Sequence, residues 1–238
     1  MSDPSDMSAT RGAVAASIAR TFAVWLFVAA IALEAPLFLG PRPGGFVPSS
    51  FTTHSLMLAL SIALAALLTK GRLALYGFTI GSYRFHPRVL LWALPTSVLS
   101  VMEYVGSRMH PGVPNDPFPQ SKLATVLFIW IYASVCEEVF MRGLFQSMLA
   151  PLRGSRLRIG SLSAPVLASG LVFGAMHVVL WRFMGVRALV PMILGVGLGT
   201  VAARYREKTG SLLPGILIHA LFNIGGAVPF WVLRAILR

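Results

Sequence analysis

The chain has 238 residues, of which 56% are apolar and only 12% charged, and its mean hydropathy is +0.75. Soluble domains carry roughly a quarter charged residues, and a soluble chain this apolar would expose more hydrophobic surface than water tolerates, so the composition excludes an ordinary soluble domain and indicates a polytopic membrane protein. The net charge of +12 does not indicate nucleic acid, because the basic residues sit in short clusters between apolar segments, which is how Lys and Arg set membrane topology.

A short polar stretch, residues 1–20, precedes the first apolar run at 21–39. That run has no small-residue cleavage site, so it reads as a retained span, with 1–20 as a short cytoplasmic tail. Six more segments approach spanning length: 53–69, 89–106, 123–149, 161–180, 188–203 and 212–224. The expected fold is all-α, a transmembrane helical bundle of about seven spans forming a single integral membrane domain over 1–238. The fourth segment is long enough to bend. The tail 229–237 is apolar but short, and an eighth span follows if one long segment is split. With the N-terminus inside, the inner loops collect 12 basic residues against 7 outside, which favours N-in and, for seven spans, C-out. The Pro-rich stretch 107–121, with Asn115 and Asp116, reads as an external connection. Gly195, Gly197 and Gly199 form a small-residue face suited to close helix packing. The single cysteine, Cys136, excludes an intramolecular disulfide and a thiolate metal site, and reads as a small filler in a packed helix.

Ionisable groups cost about 2.5–3.5 kcal/mol each at the centre of a membrane helix, so those found there face protein or a wet cavity and interact with one another. The fourth segment carries Glu137, Glu138 and Arg142. Glu138 and Arg142 are four apart and share a helix face, whereas Glu137 points about 100° away. Two carboxylates crowded in low dielectric cannot both ionise cheaply, so one is suited to general acid or base work. The fifth segment carries Phe173 and His177, and the seventh His219 and Asn223, again four apart. Burying all of these is most economical if they converge on one site. His54, His86 and His110, in loops or at segment edges, read as solvated.

Peptide hydrolysis in the membrane needs an activated water, donors for the tetrahedral oxyanion and a proton for the leaving amine. Glu137, His177, His219 and Asn223 carry those functional groups. Other protease chemistries lack their residues. No Gly-x-Ser-x-Gly is present beyond the fragment Ser169-Gly170, there is no His-Glu-x-x-His helix, and Asp3, Asp6 and Asp116 all lie outside the spans. Nothing marks Ser134 or Cys136 as an activated nucleophile.

Glu-Glu-x-x-x-Arg, then Phe-x-x-x-His, then His-x-x-x-Asn, in that order in successive apolar segments, resembles the CPBP (Abi) family of intramembrane endopeptidases. That family includes the type II CAAX prenyl endopeptidases and bacterial relatives tied to bacteriocin self-immunity and peptide processing. The motif-bearing core runs over 123–224. The resemblance implies a helical-bundle protease in which Glu137 activates water, Glu138 and Arg142 support the site, His177 orients water or assists proton transfer, and His219 and Asn223 stabilise the oxyanion. It implies a membrane-associated protein or peptide as substrate, the bilayer as surroundings and no nucleic acid, and leaves the oligomeric state open. CAAX-type processing, peptide maturation and C-terminal tail sorting all fit. A short, Arg-rich chain without long loops suggests a bacterial cytoplasmic (inner) membrane.

No cofactor is expected, because the resemblance points to metal-free glutamate catalysis and Asn223 suits an oxyanion hole better than zinc. The zinc alternative would use Glu137, His177 and His219, since catalytic zinc takes three protein ligands and a water. Two non-proteolytic readings compete: a proton-coupled transporter using the same residues as a relay, against which no inverted repeat is visible, and a membrane immunity protein that binds a peptide.

Overall fold

The computed structural model describes residues 4–39, 46–48, 50–82, 87–109, 121–155 and 157–237. It is a helical bundle with α1 at Pro4–Leu39, α2 at Phe51–Thr69, α3 at Leu94–Met109, α4 at Lys122–Met148, α5 at Ala164–Leu180, α6 at Leu189–Thr209 and α7 at Leu213–Ile236. Among the described residues six helices are long and apolar enough to cross a membrane, and α5 is a shorter apolar helix. A two-residue hairpin, β1 at Arg158–Ile159 and β2 at Leu162–Ser163, is the only strand pairing among these residues.

Several boundaries differ from the sequence expectation. The stretch ahead of Arg20, expected as a tail, is helical from Pro4 and continuous with the first apolar run. The fifth segment does not begin at Ser161; that residue belongs to the hairpin turn, and the helix starts at Ala164, with Pro165 in its first turn. The apolar tail 229–237 is no separate element, since Pro229 lies inside α7. Proline usually breaks a helix by removing an amide and crowding the preceding turn. Here the following amide, that of Phe230, donates to Ser100 Oγ on α3 at 3.0 Å, so the interruption is bridged by a neighbour. Of the stretch 107–121, the first part completes α3 and Ser121 caps α4 by accepting from the Ala124 amide at 3.2 Å. Asn115, Asp116, His86 and His110 lie outside the described residues.

The core forms around α4. Its residues Phe140, Met141, Leu144, Phe145 and Met148 are buried against Val28, Met57, Phe173, Leu198 and Ile218 from α1, α2, α5, α6 and α7. Trp25 of α1 stacks on Phe140 at 6.2 Å between ring centroids. On the other side, α5 and α6 pack backbone to backbone. A Cβ on Gly195 would lie 3.1 Å from Gly174 Cα, and one on Gly199 would lie 3.0 Å from Gly170 Cα. Gly197, expected on the same face, has nothing near it. The spacing Gly-x-x-x-Gly therefore operates on both helices, and the middle glycine of the triplet is off the seam.

One end of the bundle is tied by polar contacts that gather the basic residues. Gly77, at φ +92°, sits where a side chain would collide with Arg206, and its carbonyl accepts from the Leu212 amide at 3.0 Å. Arg206 donates to the Leu75 carbonyl at 3.2 Å, and Arg153 pairs with Glu207 at 3.3 Å. The C-terminal ends of α4 and α6, the N-terminal end of α7 and the segment after α2 thus meet at a single end.

Candidate active site

The helix that carries the two glutamates is not uniformly α-helical. Thr125–Ala133 and Val139–Phe145 are π-helical, and Ser134–Glu138 between them is α-helical. Such widened turns recur at functional sites because they redirect side chains and loosen the backbone ladder. Glu137 and Glu138 close the α-helical insert, and Arg142 sits in the wide turn that follows.

Glu138 and Arg142 form the expected pair, with Arg142 Nη1 2.9 Å from Glu138 Oε1 and both side chains wholly buried. The guanidinium also lies over the Phe173 ring, 4.4 Å from its centroid. This matters because a buried ion pair seldom recovers its desolvation from charge attraction alone. A face-on aromatic ring is one further source of compensation. A second neighbour must be small. A Cβ on Gly215 of α7 would come within 2.7 Å of Glu138 Oε2, so glycine there is what lets the carboxylate approach α7.

His219 joins the two carboxylates. Its Nδ1 is 3.0 Å from Glu138 Oε1, and its Nε2 is 3.8 Å from Glu137 Oε2. Phe173 is the common platform. Its ring meets His177 edge-on at 5.3 Å and His219 at 5.5 Å, in addition to carrying Arg142. The phenylalanine of Phe-x-x-x-His therefore organises three site residues from its own position on α5.

His177 lies where α5 tightens into its last turn, and its Nδ1 is 3.0 Å from the Phe173 carbonyl oxygen. A carbonyl only accepts, so Nδ1 carries the proton and Nε2 of the neutral ring is an acceptor. His177, His219 and Asn223 line one cavity of about 240 Å³ together with Thr96, Trp130 and Phe222. Glu137 is not among its walls; it adjoins the cavity through His219. Asn223 donates from Nδ2 to the Ile129 carbonyl at 3.2 Å and to Ser134 Oγ at 3.2 Å. Ile129 belongs to a π-helical turn of α4, and the carboxamide holds α7 against it.

The structure places one residue at the site that the sequence reading put in solvent. His54 is on the first turn of α2, and its Nε2 is 3.2 Å from Glu137 Oε1. Glu137 retains 19% side-chain exposure and His54 14%, so neither is solvated as a loop residue would be. The available signal was position: His54 falls inside the apolar segment 53–69, one residue from its start, and an ionisable group there has to meet a partner.

The zinc alternative requires Glu137, His177 and His219 to point at a common centre. Among the described residues no group of three or more His, Cys, Asp or Glu side chains is arranged to hold a metal ion. His177 directs Nδ1 into its own helix, and His219 directs Nδ1 to Glu138. Cys136 is fully buried and free.

A membrane-embedded helical bundle that converges two carboxylates, a guanidinium and three imidazoles beside a cavity has the equipment of a hydrolase. Residues 119–225, which hold all three motifs, match the family described as Rce1-like, Type II CAAX prenyl endopeptidase Rce1-like. The family is one of CAAX-type intramembrane endopeptidases, so the match supports a protease at family level. No curated protein and no solved structure matches the chain.

Proposed function

We propose that the protein hydrolyses a peptide bond near the end of a membrane-associated protein or peptide, using Glu137 to activate water and no metal. The observation that carries this reading is the unequal setting of the two glutamates. Glu138 is wholly buried and paired with Arg142, whereas Glu137 is partly accessible and, among the described residues, makes its close polar contacts to the imidazoles of His54 and His219. A carboxylate that can reach water and whose neighbours can exchange protons is the one fitted to general-base work.

In the proposed cycle the substrate carbonyl enters the cavity beside His219 and Asn223. The Nε2 acceptor of His177 holds the water, Glu137 takes a proton from it, and the oxygen adds to the carbonyl carbon. Glu138 accepts from His219 Nδ1, which leaves Nε2 to act toward the substrate. With both ring protons present, His219 donates from Nε2 to the oxyanion. Asn223 supplies a second donor by exchanging its bond to Ser134 for the oxyanion. Each such donor contributes about 10²–10³ in rate. Collapse of the tetrahedral intermediate breaks the C–N bond, and the proton held by Glu137 passes to the departing amine.

The matched family favours CAAX-type tails as the substrate class among the options open to this chemistry. We place the basic end of the bundle on the cytoplasmic side of a bacterial inner membrane, following the bias of Lys and Arg. The test is cleavage of a prenylated CAAX-type peptide by pure protein in proteoliposomes. Loss of cleavage in Glu137→Gln supports the reading, and undiminished cleavage by that variant removes Glu137 from the proposed role.

A further inference from the structure

The matched family segment begins at residue 119 and does not include α2, yet α2 supplies the shortest polar contact to Glu137. His54 lies on the first turn of α2, with Nδ1 2.9 Å from the Ser50 carbonyl oxygen and Nε2 3.2 Å from Glu137 Oε1. The first contact fixes the ring. A carbonyl can only accept, so Nδ1 bears a proton. The second contact then needs one more proton between Nε2 and Oε1. It is either an imidazolium donating to a carboxylate or a carboxylic acid donating to an imidazole, and in both cases the hydrogen bond is kept.

The turn that carries His54 is itself anchored to α4. The next residue, Ser55, is 2.7 Å from the Tyr132 hydroxyl, and Phe51 stacks on the Tyr132 ring at 5.2 Å between centroids. Tyr132 is on the same helix as Glu137. The imidazole is therefore held at both nitrogens, by Ser50 and by Glu137, on a turn that Ser55 ties to α4, and is not a side chain swinging past the site.

We propose that His54 is the positioning residue of Glu137, binding Oε1 so that Oε2 is the oxygen presented to His219 and to water. Its consequence for rate rests on the proteolytic reading above. The pairing itself does not. A carboxylate is free to rotate about its last bond, and among the described residues no Lys or Arg pairs with Glu137 as Arg142 pairs with Glu138. With Oε1 tethered, one oxygen serves orientation and the other serves chemistry. Misplacing a reacting group by about 1 Å costs on the order of 100-fold in rate.

The experiment uses the full chain in nanodiscs with two variants, His54→Phe and His54→Gln. Phenylalanine fits the aromatic surroundings and removes the hydrogen bond. Glutamine places an amide nitrogen at about the reach of Nε2 and restores a donor. With an internally quenched prenylated CAAX-type peptide as probe, His54→Phe is expected to lower kcat about 100-fold at unchanged KM, and His54→Gln to recover to within about tenfold of wild type. A structural role alone would not give this split or this rescue. Wild-type kcat in His54→Phe, or His54→Gln no better than His54→Phe, overturns the proposal. A second readout needs no turnover. In protein carrying ¹⁵N-histidine, the His54 ring nitrogens, assigned by their loss in His54→Phe, should shift in Glu137→Gln. Shifted resonances in a protein that cleaves nothing would keep the pairing and refute the proteolytic reading, whereas unmoved resonances would refute the pairing.

Discussion

Replacing Arg142 by Met keeps an unbranched apolar stem and removes the charged guanidinium. In the fold this strands Glu138, which is wholly buried, with only the imidazole of His219 on Oε1. Breaking a buried ion pair by deleting one partner costs about 3–5 kcal/mol, because the desolvated charge left behind is uncompensated. The guanidinium also gives up its place over Phe173, worth roughly 0.5–2 kcal/mol. Taking about 4 kcal/mol in total, and 2–4 °C per kcal/mol for a chain of this size, the midpoint should fall by roughly 8–16 °C. The protein provides its own reporter, since Cys136 is the single cysteine and is fully buried, so a thiol-reactive dye signals only as the bundle opens. The double variant Glu138→Gln with Arg142→Met removes both charges and should recover a large part of the loss, giving a coupling of about 2–3 kcal/mol between residues in direct contact. A midpoint for Arg142→Met within about 2 °C of wild type, or a double variant no more stable than the single, would refute the assignment of this pair as the structural half of the site.

Three further outcomes follow from the same geometry. Glu137→Gln should leave the thiol-dye midpoint near that of wild type while cutting cleavage of the prenylated peptide by about 10²–10⁴; a midpoint drop matching that of Arg142→Met would contradict the division between the two glutamates. Gly215→Ala puts a methyl group 2.7 Å from Glu138 Oε2 and should cost about 1–3 kcal/mol by overpacking, read in the same melt, and an unchanged melt would mean that α7 can retreat without loss. Purified protein should contain far less than one zinc per chain by elemental analysis and should cleave equally in the presence of a chelator. Stoichiometric zinc whose removal abolishes cleavage would overturn the metal-free reading.

The bundle was legible because its signals are additive along the chain: spans of apolar residues, and polar groups too costly to bury singly. The Glu138–Arg142 pair was legible because four residues is one helical turn, and the pair forms even though the turn between them is π-helical. What the spacing rule could not carry was the third dimension. It placed Glu137 on another face without saying whose, and that face meets α2 and not only the helices bearing the motifs. Asn223 was expected to aim its amide at a substrate. The π-helical turns of α4, which no periodicity announces, add partners within the protein, the Ile129 carbonyl and Ser134 Oγ, to which its Nδ2 donates. The glycine triplet on α6 shows a similar limit, since only an opposing helix reveals that Gly170 and Gly174 answer Gly199 and Gly195, leaving Gly197 outside the seam.

In the proposed reaction the distribution of charge is the reason for assigning chemistry to one carboxylate and not the other. Two carboxylates and one guanidinium share a region where opposite charges 4 Å apart attract with an energy on the order of 4 kcal/mol at a realistic effective dielectric. The single cation is spent on Glu138, which also receives a proton donor from His219 and is shielded from water by Gly215 and α7. An anion paired with a buried guanidinium in this way is a fixed charge, of use in holding a ring and a helix in place. Among the described residues Glu137 pairs with no Lys or Arg, and its contacts are to Nε2 of His54 and Nε2 of His219, both of which can hold or release a proton. A proton arriving on Glu137 from water therefore finds neighbours that can rearrange around it without breaking the buried pair. Exchanging the two residues' surroundings would give a carboxylate that cannot take a proton and another that cannot hold a helix.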